Sequence, residues 1–173
     1  MNILLLTYSD TGNNGKFAAR VAEKLGAKGI TIAPKKHRPT CGLVMDLILS
    51  REPKVTPAPE IMREYDLIVF CSPVWMGQVA SPLRAYLGAL RTNPKPYVLL
   101  CVSGGSGGGN PKLAEELERR TGKKPALVFE QTIADLLPAD ADKSIKATSA
   151  YRISDAEAER LATVAARTLE TIL

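Results

Sequence analysis

Five short apolar runs recur along the chain and predict β-strands at 3–6, 29–33, 66–71, 97–102 and 126–129. The runs are nearly continuous rather than alternating, as in the letters ILLL at 3–6 and LIVF at 67–70. This pattern is typical of strands that are buried on both faces of a parallel sheet. We therefore expect a sheet that is covered by other elements on both sides.

Between these runs, apolar residues repeat at helical spacing. Helices are predicted at 17–25, at 40–51, after Ser81-Pro82, from Asn110-Pro111 to near Gly122, and after Ser154. Ser81 and Pro82 suit an N-cap and a first helical turn, and Ser154 with Glu157 has the spacing of a capping box. The expected buried faces are those of the second helix (Leu43, Val44, Leu47, Ile48) and of the last helix (Leu161, Val164, Ala165, Thr168, Ile172).

The alternation of strands and helices predicts an α/β fold in which helices cover both faces of a parallel sheet. The length of the chain suits a single domain spanning 1–173. The segment 133–153 interrupts the rhythm because it is long for a connection. It could hold a short helical turn, an extra strand or a lid, and these three alternatives stay open.

Composition and charge narrow the classes of protein that the chain can represent. The net charge is +5, and no stretch approaches the roughly 18 apolar residues that a membrane span needs. The first residues lack a basic-then-apolar signal layout, so we expect a cytoplasmic protein. The basic cluster at 35–38 has no interleaved aromatic residues, which argues against nucleic-acid binding. Cys41, Cys71 and Cys101 do not have metal-site spacing, so we expect mostly buried free thiols and no metal site.

The first predicted strand leads into a polar loop at residues 7–16, TYSDTGNNGK. The helix that follows adds backbone amides without internal partners and a dipole that favours anions. The glycine spacing excludes a P-loop and the dinucleotide-binding pattern. The loop predicts a site for one terminal phosphate group, with an ordinary capped turn as the alternative. Its candidate phosphate-binding residues are Ser9, Thr11, Gly12, Asn13, Asn14 and Gly15.

Two further loops follow the third and fourth predicted strands. The first contains Trp75, the only tryptophan of the chain, which could stack on a flat heteroaromatic ring or could anchor its own loop. The second, at 103–110, is so rich in glycine that core packing does not explain it; it suits close approach to a planar ligand, with a flexible surface loop as the alternative. Ligands of parallel α/β sheets bind beyond the carboxyl ends of the strands, so all three loops are expected at one site.

These motifs resemble those of the flavodoxin-like family over nearly the whole chain. Residues 9–13 (SDTGN) match the family's phosphate loop, and 72–75 (SPVW) with 81–83 (SPL) are similar to its second flavin loop and the helix start after it. Residues 103–105 (SGG) stand where its third flavin loop lies. The resemblance implies a three-layer α/β/α sandwich, a five-stranded parallel sheet in the order 2-1-3-4-5, and non-covalently bound FMN.

By that resemblance, the first loop would hold the FMN phosphate through the residues named above. Another group would cover one face and edge of the isoalloxazine: Pro73, Val74, Trp75, Met76 and Gly77. A third would lie at the opposite edge: Ser103, Gly104, Gly105 and Gly107. We predict no catalytic side chain, since the flavin itself would carry the redox chemistry.

The expected function is an FMN-binding flavodoxin-like redox protein that transfers electrons or hydride. Whether it is an NAD(P)H or quinone oxidoreductase or a one-electron carrier with a redox protein partner stays open, as does its oligomeric state. The basic charge and a flavin face without a second aromatic cover favour the oxidoreductase. The alternative is a flavin-free module of the same fold that binds another phosphorylated ligand or a protein. Asn14-Gly15 supports that alternative, because the family usually has a hydroxyl residue there.

Overall fold

A five-stranded sheet forms the centre of the fold in a computed structural model that describes residues 1–36, 39–49, 51–106 and 108–172. The strands are β1 (Ile3–Thr7), β2 (Lys28–Thr31), β3 (Leu67–Cys71), β4 (Tyr97–Ser103) and β5 (Leu127–Thr132). They lie in the order β2-β1-β3-β4-β5, and every neighbouring pair is parallel. The predicted parallel sheet and its order are therefore confirmed.

Seven α-helices follow one another in the described part of the chain. They are α1 (Asn13–Leu25), α2 (Thr40–Ile48), α3 (Arg84–Thr92), α4 (Leu113–Thr121), α5 (Ile133–Leu136), α6 (Ile145–Ala150) and α7 (Asp155–Glu170). Two 3₁₀ turns lie at Pro59–Glu64 and Ser81–Leu83. Two small antiparallel pairs join Ala33–Pro34 to Val55–Thr56 and Val74–Trp75 to Gln78–Val79. None of the described helices is both long and apolar enough to cross a membrane.

The sheet separates two hydrophobic clusters. Leu4 and Leu6 of β1 pack with α2, α3 and α4 on one face, whereas Leu5 packs with α1, α5 and α7 on the other. Successive side chains of a strand point to opposite faces, so a strand buried on both faces must be apolar at every position. This explains the continuous apolar runs of β1, β3 and β4, and it gives the three layers that the resemblance implies.

The predicted helix boundaries need several corrections. Helix α1 begins at Asn13, four residues before the predicted start, because Gly12 turns the chain at φ 91°. Helix α2 ends at Ile48, and the side chain of that residue is exposed. The Ser81 hydroxyl is buried without a hydrogen-bond partner among the described residues, so Ser81 does not cap α3. A 3₁₀ turn, closed by the Leu83 amide on the Ala80 carbonyl at 3.0 Å, precedes that helix instead.

Helix α7 has the predicted capping box at Ser154 and Glu157, but its buried face is rotated from the predicted one. Val164 and Ile172 are exposed, and the helix packs on α1. The residues that it buries are mostly alanines: Ala158, Leu161, Ala162, Ala165, Ala166 and Leu169. Small side chains let two helices approach closely, so the alanine stripe turns inward although it is less apolar than the predicted face.

The segment 133–153 contains helical turns, which is one of the three alternatives left open by its sequence. It folds into α5 and α6 without a strand, and all its residues are described. The Ala134 amide donates to the Gly104 carbonyl at 3.1 Å, which attaches the start of the segment to the loop after β4. The segment is thereby placed beside the carboxyl ends of the strands.

Candidate functional site

A cavity of about 640 Å³ lies at the carboxyl ends of β1, β3 and β4. All three loops that the sequence singled out contribute to its wall. The predicted site residues that line it are Thr11, Asn13, Asn14, Pro73, Val74, Trp75, Met76, Gly77, Ser103, Gly104 and Gly105. Ser9, Gly12 and Gly15 belong to the first loop but do not line the cavity. Gly107 lies outside the described residues.

The loop after β1 presents unpaired donors. The first intrahelical hydrogen bond of α1 runs from the Lys16 amide to the Gly12 carbonyl at 3.0 Å. The three preceding amides, at 13–15, therefore have no carbonyl partner inside the helix. The Ser9 hydroxyl is buried and has no hydrogen-bond partner among the described residues. These groups make the loop chemically suited to an anion.

The side chains of Asn13 and Asn14 hold this loop against the rest of the fold. Asn13 donates to the Tyr151 carbonyl and accepts from the Ile153 amide, each at 3.0 Å. Asn14 donates to the Val102 carbonyl at 3.0 Å and accepts from the Val102 amide at 2.9 Å. Both side chains are buried and have structural partners, so the sequence interpretation of them as phosphate donors applies better to their backbone amides.

Trp75 lies in a hairpin at the edge of the cavity. Trp75 pairs with Gln78, and the two residues between them, Met76 and Gly77, have φ values of 53° and 73°. Two residues of positive φ are what a tight two-residue hairpin turn requires. The indole packs edge-to-face on Tyr8, with ring centroids 6.1 Å apart. Burial, assisted by the nearby Asp10, raises the pKa of Tyr8 to about 12.

Glu130 of β5 holds the glycine-rich loop in place. Its carboxylate accepts hydrogen bonds from the Ser103 hydroxyl at 2.6 Å, from the Asn110 amide at 2.8 Å and from the Asn110 side chain. A carboxylate with three donors is a strong anchor. Glu130 is not among the residues predicted from the sequence, where its only signal is a charge directly after an apolar strand run.

Thr132 and Thr148 bring the glycines at 104 and 105 into close packing. A Cβ atom on Gly104 would lie 3.2 Å from the Thr148 hydroxyl, and one on Gly105 would lie 2.3 Å from the Cβ of Thr132. Thr148 belongs to α6, which also lines the cavity through Ile145 and Ser149. Glycine is therefore needed for space at Gly105, where φ is also +70°.

The cavity wall has little charge. Asp10 is the only ionisable side chain among the described residues that line it. Lys16 points elsewhere, donating to the Ile153 carbonyl at 3.2 Å and pairing with Asp155 at 3.2 Å.

Beneath the loops, burial raises the pKa of the Cys71 thiol, which donates to the Asn14 carbonyl. Burial also raises the pKa of Cys101, so both thiols are neutral packing groups, as predicted; Cys41 is exposed.

Solved structures of flavoproteins resemble the fold of this chain. A flavoprotein from Lactobacillus acidophilus NCFM, in complex with FMN, is 20% identical, with a TM-score of 0.60 over 75% of this chain and 92% of that chain. Oxidised flavodoxin 1 from Bacillus cereus is 13% identical, with a TM-score of 0.56 over 98% of both chains. The flavodoxin, WrbA-like protein from Agrobacterium tumefaciens is 15% identical, with a TM-score of 0.51 over 99% of this chain and 96% of that chain. At these identities the likeness establishes the flavodoxin-like fold.

The family is established by sequence. The chain matches no curated protein individually. The model of the NADPH-dependent FMN reductase family, however, matches residues 1–117, which include all three loops of the cavity. Because that match covers more than half of the 173 residues, this chain belongs to the NADPH-dependent FMN reductase family, and FMN is its cofactor.

Proposed function

We propose that the chain is an NADPH-dependent reductase that binds FMN non-covalently in the cavity at the carboxyl ends of β1, β3 and β4. The observation that carries this proposal is the convergence of three chemically different loops on one cavity of about 640 Å³. One loop offers unpaired amides, one an aromatic plate and one a glycine-rich backbone. A phosphorylated ligand with a flat ring system needs these three properties together.

The residues present fit FMN. The buried, unpartnered Ser9 hydroxyl and the free amides of the first turn of α1 suit a terminal phosphate. No cationic side chain is among the described lining residues, so neutral donors and the helix N-terminus would hold the charge. Gly104 and Gly105 line the cavity without side chains, and Thr148 and Thr132 occupy the space that their Cβ atoms would need, so the loop would offer its backbone to the ring.

When bound, FMN supplies the hydride and electron chemistry. The chain would bind and orient it: the first loop would hold the phosphate, Trp75 would contact the ring, and the loop at 103–110 would offer backbone donors. Glu130 keeps that loop in position through Ser103 and Asn110. Asp10 is the one ionisable group among the described lining residues, so we propose no side chain as a general acid or base.

The rim of the cavity favours a flat apolar acceptor such as a quinone. Met76 and Ile145 line the cavity, and their side chains are 71% and 73% exposed. Apolar side chains that remain exposed beside a site suit an apolar partner. A one-electron carrier is the second form of this proposal, and in both forms we propose a single cytoplasmic domain.

The visible absorption spectrum of the purified protein, with and without added FMN, tests the cofactor site. We expect oxidised-flavin bands that NADPH bleaches anaerobically, and faster reduction by NADPH than by NADH. Bleaching by dithionite alone would favour the carrier. A protein that neither carries FMN nor quenches its fluorescence would contradict the proposal.

The flavin-free binding module that the sequence left open rested on Asn14-Gly15 in place of a hydroxyl residue, and membership of an FMN reductase family argues against it. Trp75→Ala separates the two. If FMN stacks on the indole, this change weakens FMN binding by roughly tenfold, since aromatic contacts are worth about 0.5–1.5 kcal/mol beyond the buried area. Trp75→Phe should retain most of the affinity. Unchanged binding of every phosphorylated ligand in both variants would support the module.

A further inference from the structure

A second cavity of about 770 Å³ lies outside the Trp75 hairpin, between α3 and α4. Met76 and Gly77, at the tip of the hairpin, line both cavities. The two spaces therefore adjoin at the tight turn, on opposite sides of the hairpin. Apart from Met76 and Gly77, no residue of the proposed FMN site lines this second cavity.

The wall of the second cavity is cationic. Its lining contains more positive than negative side chains. The five cations are Arg84, Arg91, Lys112, Arg119 and Arg120, and the three carboxylates are Glu52, Glu115 and Glu116. The FMN cavity, by contrast, has no cation among its described lining residues. Arginine forks are the groups that recognise phosphate oxygens best.

Two of these arginines converge on one neutral oxygen. Arg84 is only 2% exposed, and its Nη1 atom donates to the carbonyls of Asp46 and Arg51 at 2.8 and 3.3 Å. Its Nη2 atom donates to Gln78 Oε1 at 2.9 Å, and Nη2 of Arg120 donates to the same oxygen at 2.8 Å. Burial, and then the charge of Arg120, lowers the pKa of Arg84, and the carboxylates of Glu116, Glu52 and Asp46 offset part of this effect. Two like charges held around a single amide oxygen favour an anion nearby.

Glu116 compensates only part of this charge. One of its carboxylate oxygens pairs with Nε of Arg120, and the other is buried without a hydrogen-bond partner among the described residues. Arg91, Lys112 and Arg119 are exposed at the same cavity. Glu116 thus orients Arg120, while the outer cations stay accessible to a ligand.

We propose that this cavity binds the phosphate groups of the pyridine dinucleotide. The inference rests on the proposed function, because it places the nicotinamide of the same molecule over the FMN cavity. A dinucleotide joins a flat ring to a phosphate-bearing tail, and the two cavities offer an uncharged and a cationic space that meet at Met76 and Gly77. Gln78, which contacts both arginines, pairs with Trp75 in the hairpin, so phosphate binding would bear directly on the aromatic cover of the flavin.

Calorimetric titration of the FMN-loaded protein with 2′,5′-ADP tests the cavity without any redox step. We expect Arg120→Gln to weaken binding by roughly tenfold, the loss expected for one charge-assisted contact. Arg119→Gln should weaken it by about threefold and leaves the partly buried pair of Arg120 and Glu116 intact, so it guards against a folding defect. Glu116→Gln should tighten binding. The matched control is Arg167→Gln, which removes the same charge from an exposed position on α7, across the sheet.

Anaerobic flavin reduction separates this inference from the proposed function. In Arg119→Gln the NADPH concentration for half-maximal reduction should rise, while the limiting rate stays that of the unaltered protein. Binding of 2′,5′-ADP that is absent, or equal in all four variants, would overturn the inference even if NADPH reduces the flavin. Arginine-dependent binding of 2′,5′-ADP without reduction by NADPH would instead leave the phosphate site standing and contradict the proposed function.

Discussion

Single residues hold the candidate site mainly through hydrogen bonds to distant parts of the chain. Asn14 bonds both backbone groups of Val102, which lies 88 positions away, and Glu130 joins both ends of the glycine-rich loop. Each of these side chains satisfies backbone or polar groups that would otherwise be buried without partners. The shape of the cavity therefore depends on residues that contact the loops rather than on the loops alone.

Replacing Glu130 tests this dependence. In Glu130→Gln, a neutral amide faces the Ser103 hydroxyl and the Asn110 donors, and hydrogen bonds to a charged group are worth about 1.5–3 kcal/mol. We expect the dissociation constant of FMN to rise about tenfold or more, measured by quenching of flavin fluorescence. Glu118→Gln, on α4, is the matched control and should bind FMN normally. Equal affinity in both variants would mean that Glu130 does not position the loop.

At the scale of elements, the loops owe their paths to a few positions of positive φ. Gly12 starts α1, Met76 and Gly77 close the Trp75 hairpin, and Gly105 turns the loop after β4. At Gly12 and Gly77 there is open space where a Cβ atom would stand, whereas Gly105 is enclosed by Thr132. The requirement for glycine thus has two separable causes, backbone conformation and lack of room.

A pair of alanine variants separates the two causes. Gly122, the C-cap of α4, has φ 78° and open space where the Cβ atom of an alanine would lie. Gly122→Ala should therefore lose only about 1–2 kcal/mol of unfolding free energy, the cost of the backbone conformation. Gly105→Ala has a similar φ of 70° but also collides with Thr132, which adds about 1–3 kcal/mol of overpacking. Urea unfolding measures both losses, and FMN titration should show weakened binding only for Gly105→Ala. Equal losses in the two variants would contradict the steric explanation.

For the whole molecule, both hydrophobic clusters contain groups that must stay protonated. Cys101 lies in the cluster under α2, α3 and α4, Cys71 lies in the opposite one, and burial raises the pKa of both thiols. Tyr8, whose pKa is raised from 10.0 to about 12, packs on Trp75 at the edge of the candidate site. In each case the folded state favours the neutral form, so it binds more protons than the unfolded chain in alkaline solution.

The free energy of unfolding should therefore fall with rising pH. The contribution of these groups is fully present below about pH 9, the ordinary pKa of a thiol, and is lost as the pH rises towards the raised values. Tyr8→Phe should make the fall shallower between pH 10 and 12, the interval between the ordinary and raised pKa of Tyr8. Urea unfolding at several pH values from 8 to 11 measures the slope. Cys41→Ser, at an exposed position, is the control, and stability that is constant up to pH 11 would refute the prediction.

The sequence by itself determined the sheet, its layers and the three loops that line one cavity at the carboxyl ends of the strands. The continuous apolar runs of β1, β3 and β4 specify strands that are buried on both faces, and the polar or glycine-rich segments after them specify the loops of the cavity. These signals are local, because the side-chain period of a strand and the turn chemistry of a loop depend on neighbouring residues. The same locality explains the predicted capping box at Ser154, which the structure confirms.

Only the tertiary structure decided which side of α7 turns inward, what Asn13 and Asn14 bind, and which residues support the glycine-rich loop. Glu130 meets Ser103 across 27 positions, and Gln78 meets Arg120 across 42. No local pattern encodes such pairs, since they arise when the path of the chain brings separate elements together. The second cavity has the same origin, because its cations come from α3, from α4 and from Lys112 directly before α4, and the two helices become neighbours only through packing on one face of the sheet.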